Sequence, residues 1–195
     1  MGDLRLIKET IEESIAVKQA MANKQASVIL QISKLLARVL RKGGTIYLCG
    51  NGGSAADAQH VAAELVGRFA RERRALPAAA LTTNTSILTA IGNDYSFAEI
   101  FDRQVHAMVH KNDAVVGIST SGKSLNVLNA FRAARTIGAT TIGFTGSYGK
   151  EMLKYTDICL CVPSNKTPRI QEAHILAWHV ICDLVEQDFV LENKG

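Results

Sequence analysis

The chain has 195 residues, 47% of them hydrophobic, which is enough for one domain with a buried core and too few for two independent domains. Its 22 Lys and Arg against 18 Asp and Glu give a net charge of +4. This modest basic balance suits anionic small molecules and does not indicate nucleic-acid binding. No apolar run approaches the roughly 20 residues of a membrane span, and the N-terminus lacks a signal-peptide core, so we expect a cytoplasmic protein without a membrane anchor.

Helical and apolar patterns follow one another in the order expected of a single α/β domain over residues 1–195. Two amphipathic helices are predicted within residues 1–42, before Gly43-Gly44 ends the pattern. Residues 43–166 alternate apolar stretches with helical ones, which predicts a parallel five-stranded sheet flanked by helices. A last helix is predicted over residues 167–192. The predicted strands are 46–48, 78–81, 115–118, 141–144 and 158–162.

The four cysteines lie inside apolar strand or helix patterns and show no paired metal-ligand spacing, so we expect reduced thiols in the core. They are Cys49, Cys159, Cys161 and Cys182.

The first predicted strand runs into a glycine-rich turn and a helix. Gly50, Gly52 and Gly53 allow positive φ and present bare N–H groups at a helix start, where the helix dipole favours a phosphate. Further along that helix, His60 and Glu64 are four residues apart and share a face. Their spacing suits either a shared divalent metal ion or an acid and a base that act on one substrate.

A second turn of the same kind follows the strand at 115–118. It reads Ser119-Thr120-Ser121-Gly122-Lys123-Ser124 and leads into a helix at Leu125. A Ser-rich turn is often a simple helix cap, but four hydroxyls within six residues favour phosphate binding, with Lys123 as a further charged contact.

Open parallel sheets bind ligands beyond the carboxyl ends of their strands, so the turns at Gly50 and Ser119 are expected to converge. A third polar segment, Gly92-Asn93-Asp94-Tyr95, is interpreted as a loop that follows a helix and reaches the same cleft.

The last helix adds further candidates in Gln171, His174 and His179. Gln171 and His179 are two turns apart, about 12 Å along the axis, which is far for one compact site. We therefore hypothesise that one of them reaches the cleft of a neighbouring subunit, which requires an oligomer. The leading helices either bury an apolar stripe within the fold or form a seam between subunits.

A nicotinamide-dependent oxidoreductase is a rival interpretation, because residues 50–55 fit a loose G-x-G-x-x-A pattern after a strand. Such a fold places Asp or Glu at the end of the next strand to hold the ribose, and residues 80–84 read Ala-Leu-Thr-Thr-Asn. The acidic partner is therefore missing.

Taken in order, five motifs resemble those of the phosphoheptose isomerases, in the sugar isomerase (SIS) family of flavodoxin-like α/β domains. They are Gly-Asn-Gly-Gly-Ser at 50–54, Gln-His at 59–60 with Glu64, Gly-Asn-Asp at 92–94, Ser-Thr-Ser-Gly-x-Ser at 119–124 and Arg-Ile-Gln-Glu-x-His at 169–174. The likeness spans essentially the whole chain, and it is the ordered set that is specific.

The resemblance implies an enediol-type proton transfer that interconverts sedoheptulose 7-phosphate and D-glycero-D-manno-heptose 7-phosphate, the first step toward the activated heptose of bacterial surface polysaccharide. It implies Glu64 and His179 as the proton-transfer pair, one zinc ion bound by His60, Glu64, Gln171 and His179, and a homotetramer with sites between subunits. The implied substrate contacts are Asn51, Gly52, Gly53, Ser54, Glu64, Asn93, Asp94, Ser119, Thr120, Ser121, Ser124 and Gln171.

Two positions depart from the family pattern, Lys123 where Asn is common and Pro168 where some members have Asp. A zinc-bound carboxylate is a weaker base than a free one, so the sequence leaves open a metal-assisted reaction or a pure Glu/His one. A non-catalytic module that binds phosphosugars, like the family members that associate with the replication initiator, is the alternative function. The joint presence of His60, Glu64, Gln171 and His179 favours an enzyme.

Overall fold

The computed structural model describes residues 2–190, and within them five strands alternate with helices. The helices are α1 (Gly2–Arg41), α2 (Gly53–Val66), α3 (Thr85–Asp94), α4 (Asp102–Met108), α5 (Leu125–Ile137), α6 (Lys150–Leu153) and α7 (Thr167–Val190), with a 3-10 turn at Phe97–Glu99. The strands are β1 (Ile46–Gly50), β2 (Ala78–Ala80), β3 (Ala114–Ile118), β4 (Thr140–Thr145) and β5 (Ile158–Cys161).

All five strands are parallel and lie in the order β2-β1-β3-β4-β5. This is the flavodoxin-like order, so the predicted fold class is confirmed. The chain leaves β1 toward β2 on one side and later returns to place β3 on the other side of β1. The register pairs Gly50 with Ile118, so β1 and β3 end side by side at this switch point.

The two predicted N-terminal helices are wrong as a pair, because α1 is one continuous helix of 40 residues. No glycine or proline interrupts residues 16–28, and the Ala, Lys, Gln and Met in that stretch are strong helix formers. The apolar stripe changes character along α1: Ile7 and Ile11 are more than half exposed, whereas Ile32 and Leu36 are fully buried.

The sheet separates two apolar cores. On one face, the buried side chains of α1, α2 and α7 pack together, with Leu36, Val61 and Trp178 near the centre. On the other face, α4 and α5 cover the sheet with Val105 and Phe131. Because both faces are covered, β3 is buried at every position, as expected of a parallel sheet.

The last helix begins at Thr167 as predicted, and its predicted end near Glu192 lies outside the described residues. Among the helices within residues 2–190, none combines the length and apolar character needed to cross a membrane. The four cysteines are unpaired; Cys49 and Cys182 are buried, whereas Cys159 and Cys161 are only partly buried.

His174 lies on α7, and its side chain points into the core of the fold and not into a site. Its imidazole is fully buried, with its edge against the Phe144 ring at 5.7 Å, and its Nε2 lies 3.2 Å from the carbonyl oxygen of Thr145. Among the described residues, its Nδ1 has no hydrogen-bond partner. Burial lowers the pKa of His174 to about 4, so the imidazole is neutral in the folded protein at neutral pH.

This burial predicts an acid-labile fold. Between pH 6.5 and 4 the unfolded imidazole binds a proton that the folded one does not, so stability falls as the pH falls through that window, by up to about 3 kcal/mol at its lower end. Urea unfolding at several pH values should show a weaker pH dependence in His174→Gln than in the wild type. Parallel curves for the two proteins would contradict the prediction.

Candidate active site

The β1–α2 turn is shaped by glycines that no other residue can replace without movement. A Cβ on Gly50 would lie 2.7 Å from the carbonyl oxygen of Ser54, and Gly52 has φ +55°. A Cβ on Gly53 would lie 2.4 Å from Nε2 of Gln171, so the amide of α7 is packed directly on the start of α2. Among the described residues, the backbone N–H groups of Gly52 and Gly53 have no backbone acceptor, whereas that of Ser54 donates to the carbonyl oxygen of Asn51 at 3.0 Å.

The β3–α5 turn presents clustered hydroxyls. Oγ of the buried Ser119 lies 2.8 Å from Oγ of Ser124 and 3.5 Å from Oγ of Ser121, and the backbone N–H of Lys123 donates to Ser121 at 3.2 Å. Gly122 has φ +66°, which turns the chain back toward α5. These contacts hold three hydroxyls at one helix start.

The two turns are tied together by a reciprocal amide pair that the sequence did not reveal. Nδ2 of Asn51 donates to Oδ1 of Asn126, and Nδ2 of Asn126 donates to Oδ1 of Asn51, both at 2.9 Å. Asn126 is buried near the start of α5, and its Oδ1 also lies 3.0 Å from the backbone N–H of Val127. Nothing in the local pattern around Asn126 marks it as a partner of a residue 75 positions away.

A polar cavity of about 320 Å³ opens between the turns. We call this cavity the anion cradle. It brings together most of the predicted substrate contacts and adds Thr167 at the start of α7, which the sequence analysis did not select. Its lining residues are Asn51, Gly52, Gly53, Ser54, Ile118, Ser119, Thr120, Ser124, Thr167 and Gln171.

The electrostatics of the anion cradle favour a negative ligand. The starts of α2 and α5 both face it, and their first turns, which lie within the described residues, carry no acidic side chain. Each helix start contributes partial positive charge and unpaired N–H groups. The exposed Lys123 lies at the rim, in a neighbouring cavity of about 200 Å³ that shares Thr120 and Thr167 with the cradle.

The second half of the site is a cluster of His60, Glu64 and His179. Nε2 of His60 lies 3.1 Å from Nε2 of His179 and 3.4 Å from Oε1 of Glu64. The ring of Phe69 lies 5.5 Å from that of His179 and shields one side of it. The cluster lies about 10 Å along α2 from Gly53, or roughly two turns from the anion cradle.

Asp57 lies one turn before His60 on α2. Burial raises the pKa of its carboxyl to about 6, and the neighbouring His60 opposes that rise. Among the described residues, its buried Oδ2 has no hydrogen-bond partner. Asp57 thus adds a titratable group beside the cluster that the sequence analysis did not select.

Gln171 and His179 both face α2 of their own chain. Gln171 contacts the start of α2 at Gly53, whereas His179 meets His60 near the middle of that helix. The spacing that suggested a second subunit is therefore accommodated by two different parts of one elongated site. The hypothesis that one of these side chains reaches the cleft of a neighbouring copy stays a prediction.

The predicted loop at Asn93 and Asp94 is wrong, because both residues belong to the last turn of α3. Nδ2 of Asn93 donates to Oδ1 of Asp94 at 2.8 Å, and both are exposed. Because α3 starts near the carboxyl end of β2, its ten residues carry this pair about 13 Å away from that edge. Within residues 2–190 of a single chain, the pair does not line the anion cradle.

Comparison with known proteins agrees with this architecture. A family model for the SIS domain matches residues 11–146. The phosphoheptose isomerase of Roseiflexus sp. (strain RS-1) is 54% identical over 183 residues, which cover 94% of this chain and 93% of that protein. The structure of the phosphoheptose isomerase from Neisseria gonorrhoeae has a TM-score of 0.89 and 42% identity, covering 94% of this chain and 98% of that one. The corresponding values for the phosphoheptose isomerase from Francisella tularensis are 0.92 and 39%, with 96% and 100% covered. The chain belongs to the phosphoheptose isomerase family of SIS domains.

Proposed function

We propose that the protein interconverts sedoheptulose 7-phosphate and D-glycero-D-manno-heptose 7-phosphate and so starts the synthesis of an activated heptose. The observation that carries the proposal is the placement of an anion cradle and a His/Glu cluster along one side of α2, two turns apart. That separation leaves room for a carbon chain between the phosphate and the reacting carbonyl. Relatives named phosphoheptose isomerase match nearly the full length of the chain at about half identity, which supports the same substrate here.

The anion cradle is the handle for the phosphate. Backbone N–H groups of Gly52 and Gly53 and the hydroxyls of Ser119 and Ser124 are the donors for its oxygens. Binding energy from this remote group is then available to orient the sugar over the reactive cluster. The choice of seven carbons rests on the relatives.

The cluster supplies the groups that move protons. In the aldose-to-ketose direction Glu64 takes the proton from C2. The electron pair of the broken C2–H bond forms the C1–C2 double bond of an enediol, and the carbonyl oxygen at C1 gains a proton. The hydroxyl at C2 then loses its proton as its carbonyl forms, and C1 gains the proton held by Glu64. His179 is placed to move the proton between the two oxygens, and no redox cofactor is needed.

We propose that the cluster binds a zinc ion, which the spacing of its two imidazoles supports. Two imidazole nitrogens bound to one tetrahedral zinc lie about 3.3 Å apart, and Nε2 of His60 and His179 lie 3.1 Å apart. Among residues 2–190, no three His, Cys, Asp or Glu side chains converge closely enough to hold a metal ion by themselves. We therefore propose a zinc set of His60, His179 and Glu64, in which Glu64 moves toward the imidazole pair, with the Gln171 of a neighbouring copy as the fourth ligand, because Gln171 of the same chain lies against Gly53. When bound, zinc would polarise the carbonyl and stabilise charge on the enediol oxygens.

A non-catalytic phosphosugar-binding module is not favoured. Such a module needs only the anion cradle, whereas this chain also places Nε2 of His60 3.1 Å from Nε2 of His179 and 3.4 Å from Oε1 of Glu64. The matching relatives named as isomerases cover that cluster as well as the cradle.

We also propose that the protein assembles as a homo-oligomer, with a tetramer as the specific hypothesis. Large apolar side chains are exposed along the first four turns of α1 at Leu4, Ile7, Ile11 and Ile15. Further along, α1 and α7 form an apolar groove of about 260 Å³ that includes Leu30. Contiguous apolar surfaces of this kind mark protein interfaces.

We also propose a cytoplasmic location, which the four unpaired cysteines support.

The isomerase function predicts a specific effect of Glu64→Gln. The amide cannot accept the carbon-bound proton, so kcat should fall by about 10²- to 10⁴-fold while phosphosugar binding changes little. A coupled assay with sedoheptulose 7-phosphate and a binding titration measure the two quantities. As the matched control, Ser119→Ala should weaken binding more than it lowers kcat. Retained turnover in the amide variant would reject Glu64 as the base.

The zinc proposal predicts about one zinc ion per chain in protein purified without chelator. His179→Gln should lose most of that zinc by elemental analysis, whereas the exposed His106→Gln should keep it. Chelation of the wild type should abolish turnover, and added zinc should restore it. Zinc-free wild-type protein with full turnover would refute this proposal.

The assembly proposal predicts that Ile11→Glu lowers the mass measured by light scattering after size-exclusion chromatography. A charge in an apolar interface is costly, whereas Ile11→Leu keeps the surface apolar and should preserve the wild-type mass. A monomeric wild type, or a full-mass Glu variant, would be inconsistent with an interface on this stripe.

A further inference from the structure

The connection between α2 and β2 is held by a carboxylate of α7. Glu186 is fully buried, and its two oxygens accept the consecutive backbone N–H groups of Phe69, Ala70 and Arg71 at 2.8, 2.9 and 2.5 Å. Consecutive N–H groups that point at one anion form a concave backbone nest. The carboxylate therefore fixes the path of this connection against α7.

Arg73 extends the same contact to the end of α2. Its Nη2 donates to the carbonyl oxygen of Glu64 at 2.8 Å, its Nη1 donates to those of Leu65 and Gly67 at 2.9 Å, and its Nε lies 3.5 Å from Oε2 of Glu186. Burial lowers the pKa of the Arg73 guanidinium, and Glu186 opposes that shift. Arg73 and Glu186 thus form a buried ion pair. The remaining N–H groups of the guanidinium, on Nη1 and Nη2, cap the carbonyls at the C-terminus of α2.

The ion pair connects the two sides of the reactive cluster. Arg73 donates a hydrogen bond to the backbone carbonyl of Glu64 itself, and Glu186 lies two turns after His179 on α7. The nest also places Phe69, whose ring lies 5.5 Å from that of His179. Both members of the proposed proton-transfer pair are therefore held from the same buried contact.

We propose that Arg73 and Glu186 are positioning residues of the isomerisation, which set the distance and orientation of Glu64 relative to His179. The proposal rests on the proposed function, because it assigns the pair a role in that reaction. A displacement of about 1 Å in a reacting group can lower the rate by about a hundredfold, so a contact that fixes α2 against α7 has a direct effect on turnover. Stability alone explains the pair less well, since buried ion pairs often stabilise no more than apolar residues of the same volume.

The test compares Glu186→Gln with Asp113→Asn, a matched control at the amino end of the central strand β3. Asp113 is also buried, and its carboxylate accepts the backbone N–H groups of Thr45 at 2.8 Å and His110 at 2.7 Å. Both variants replace a buried backbone-gripping carboxylate by its amide, and both should lower the melting temperature. At a temperature where both are folded, Glu186→Gln should lower kcat on the order of tenfold or more with KM changed less than about twofold, whereas Asp113→Asn should retain wild-type kcat.

A second readout does not depend on activity. The imidazole ¹⁵N and ¹H shifts of His60 and His179 should change in Glu186→Gln without substrate and should stay at wild-type values in Asp113→Asn. If the wild type shows no turnover of sedoheptulose 7-phosphate, the proposed function fails, and these shifts still decide whether the pair positions the cluster. Unchanged shifts, or equal losses of kcat in the two variants, overturn the inference.

Two milder variants apply if Glu186→Gln does not fold. Arg73→Lys keeps the charge but cannot donate to the carbonyls of Glu64 and Leu65 with one planar group, and Phe69→Leu removes the ring beside His179 while leaving the ion pair intact. Each should lower kcat more than it raises KM and should shift the His179 signals. Wild-type kcat and shifts in both variants would overturn the inference.

Discussion

The pairing of β1 with β3 is the constraint on which the site depends. Because the chain crosses from one side of β1 to the other between these strands, their carboxyl ends are neighbours with no intervening strand, and the turns at Gly50 and Ser119 must share one cavity. The reciprocal amide bonds of Asn51 and Asn126 then fix the two turns relative to each other. The phosphate proposed to bind there would meet donors that are already in place, so little of its binding energy would be lost to ordering the loops.

Local patterns predict what depends on neighbours in sequence. The five strands are predicted by apolar runs. The turns at Gly50 and Ser119 are predicted by the glycines and hydroxyl side chains that directly precede a helix. Two errors have a common cause, since both placed chain breaks where helix propensity continues: residues 16–28 lie within α1, and Asn93 lies within α3. Asn126 and Glu186 could not be found in this way, because each acts through a partner more than 70 residues distant.

Helix α2 combines tasks that are usually divided between elements. Its first turn lines the anion cradle, its middle carries His60 and Glu64, and its C-terminal carbonyls accept hydrogen bonds from Arg73. The helix dipole favours negative charge at the N-terminus, where the anion cradle lies, and positive charge at the C-terminus, where the Arg73 guanidinium lies. One helix therefore carries parts of both the anion cradle and the His/Glu cluster, and a shift of α2 would alter the geometry of both.

Carboxylates that accept hydrogen bonds from backbone N–H groups recur in this fold, and their distribution bears on the proposed position of the phosphate. Asp113 and Asp157 occupy such positions at the amino ends of the strands, where Asp157 accepts the N–H and hydroxyl of Thr141 at 2.8 and 2.9 Å. Glu186 does the same beside the reactive cluster. At the anion cradle, by contrast, the first turns of α2 and α5 have no carboxylate of their own among the described residues. The N–H groups at these two helix starts are therefore open to an external anion, which agrees with the phosphate proposed to bind there.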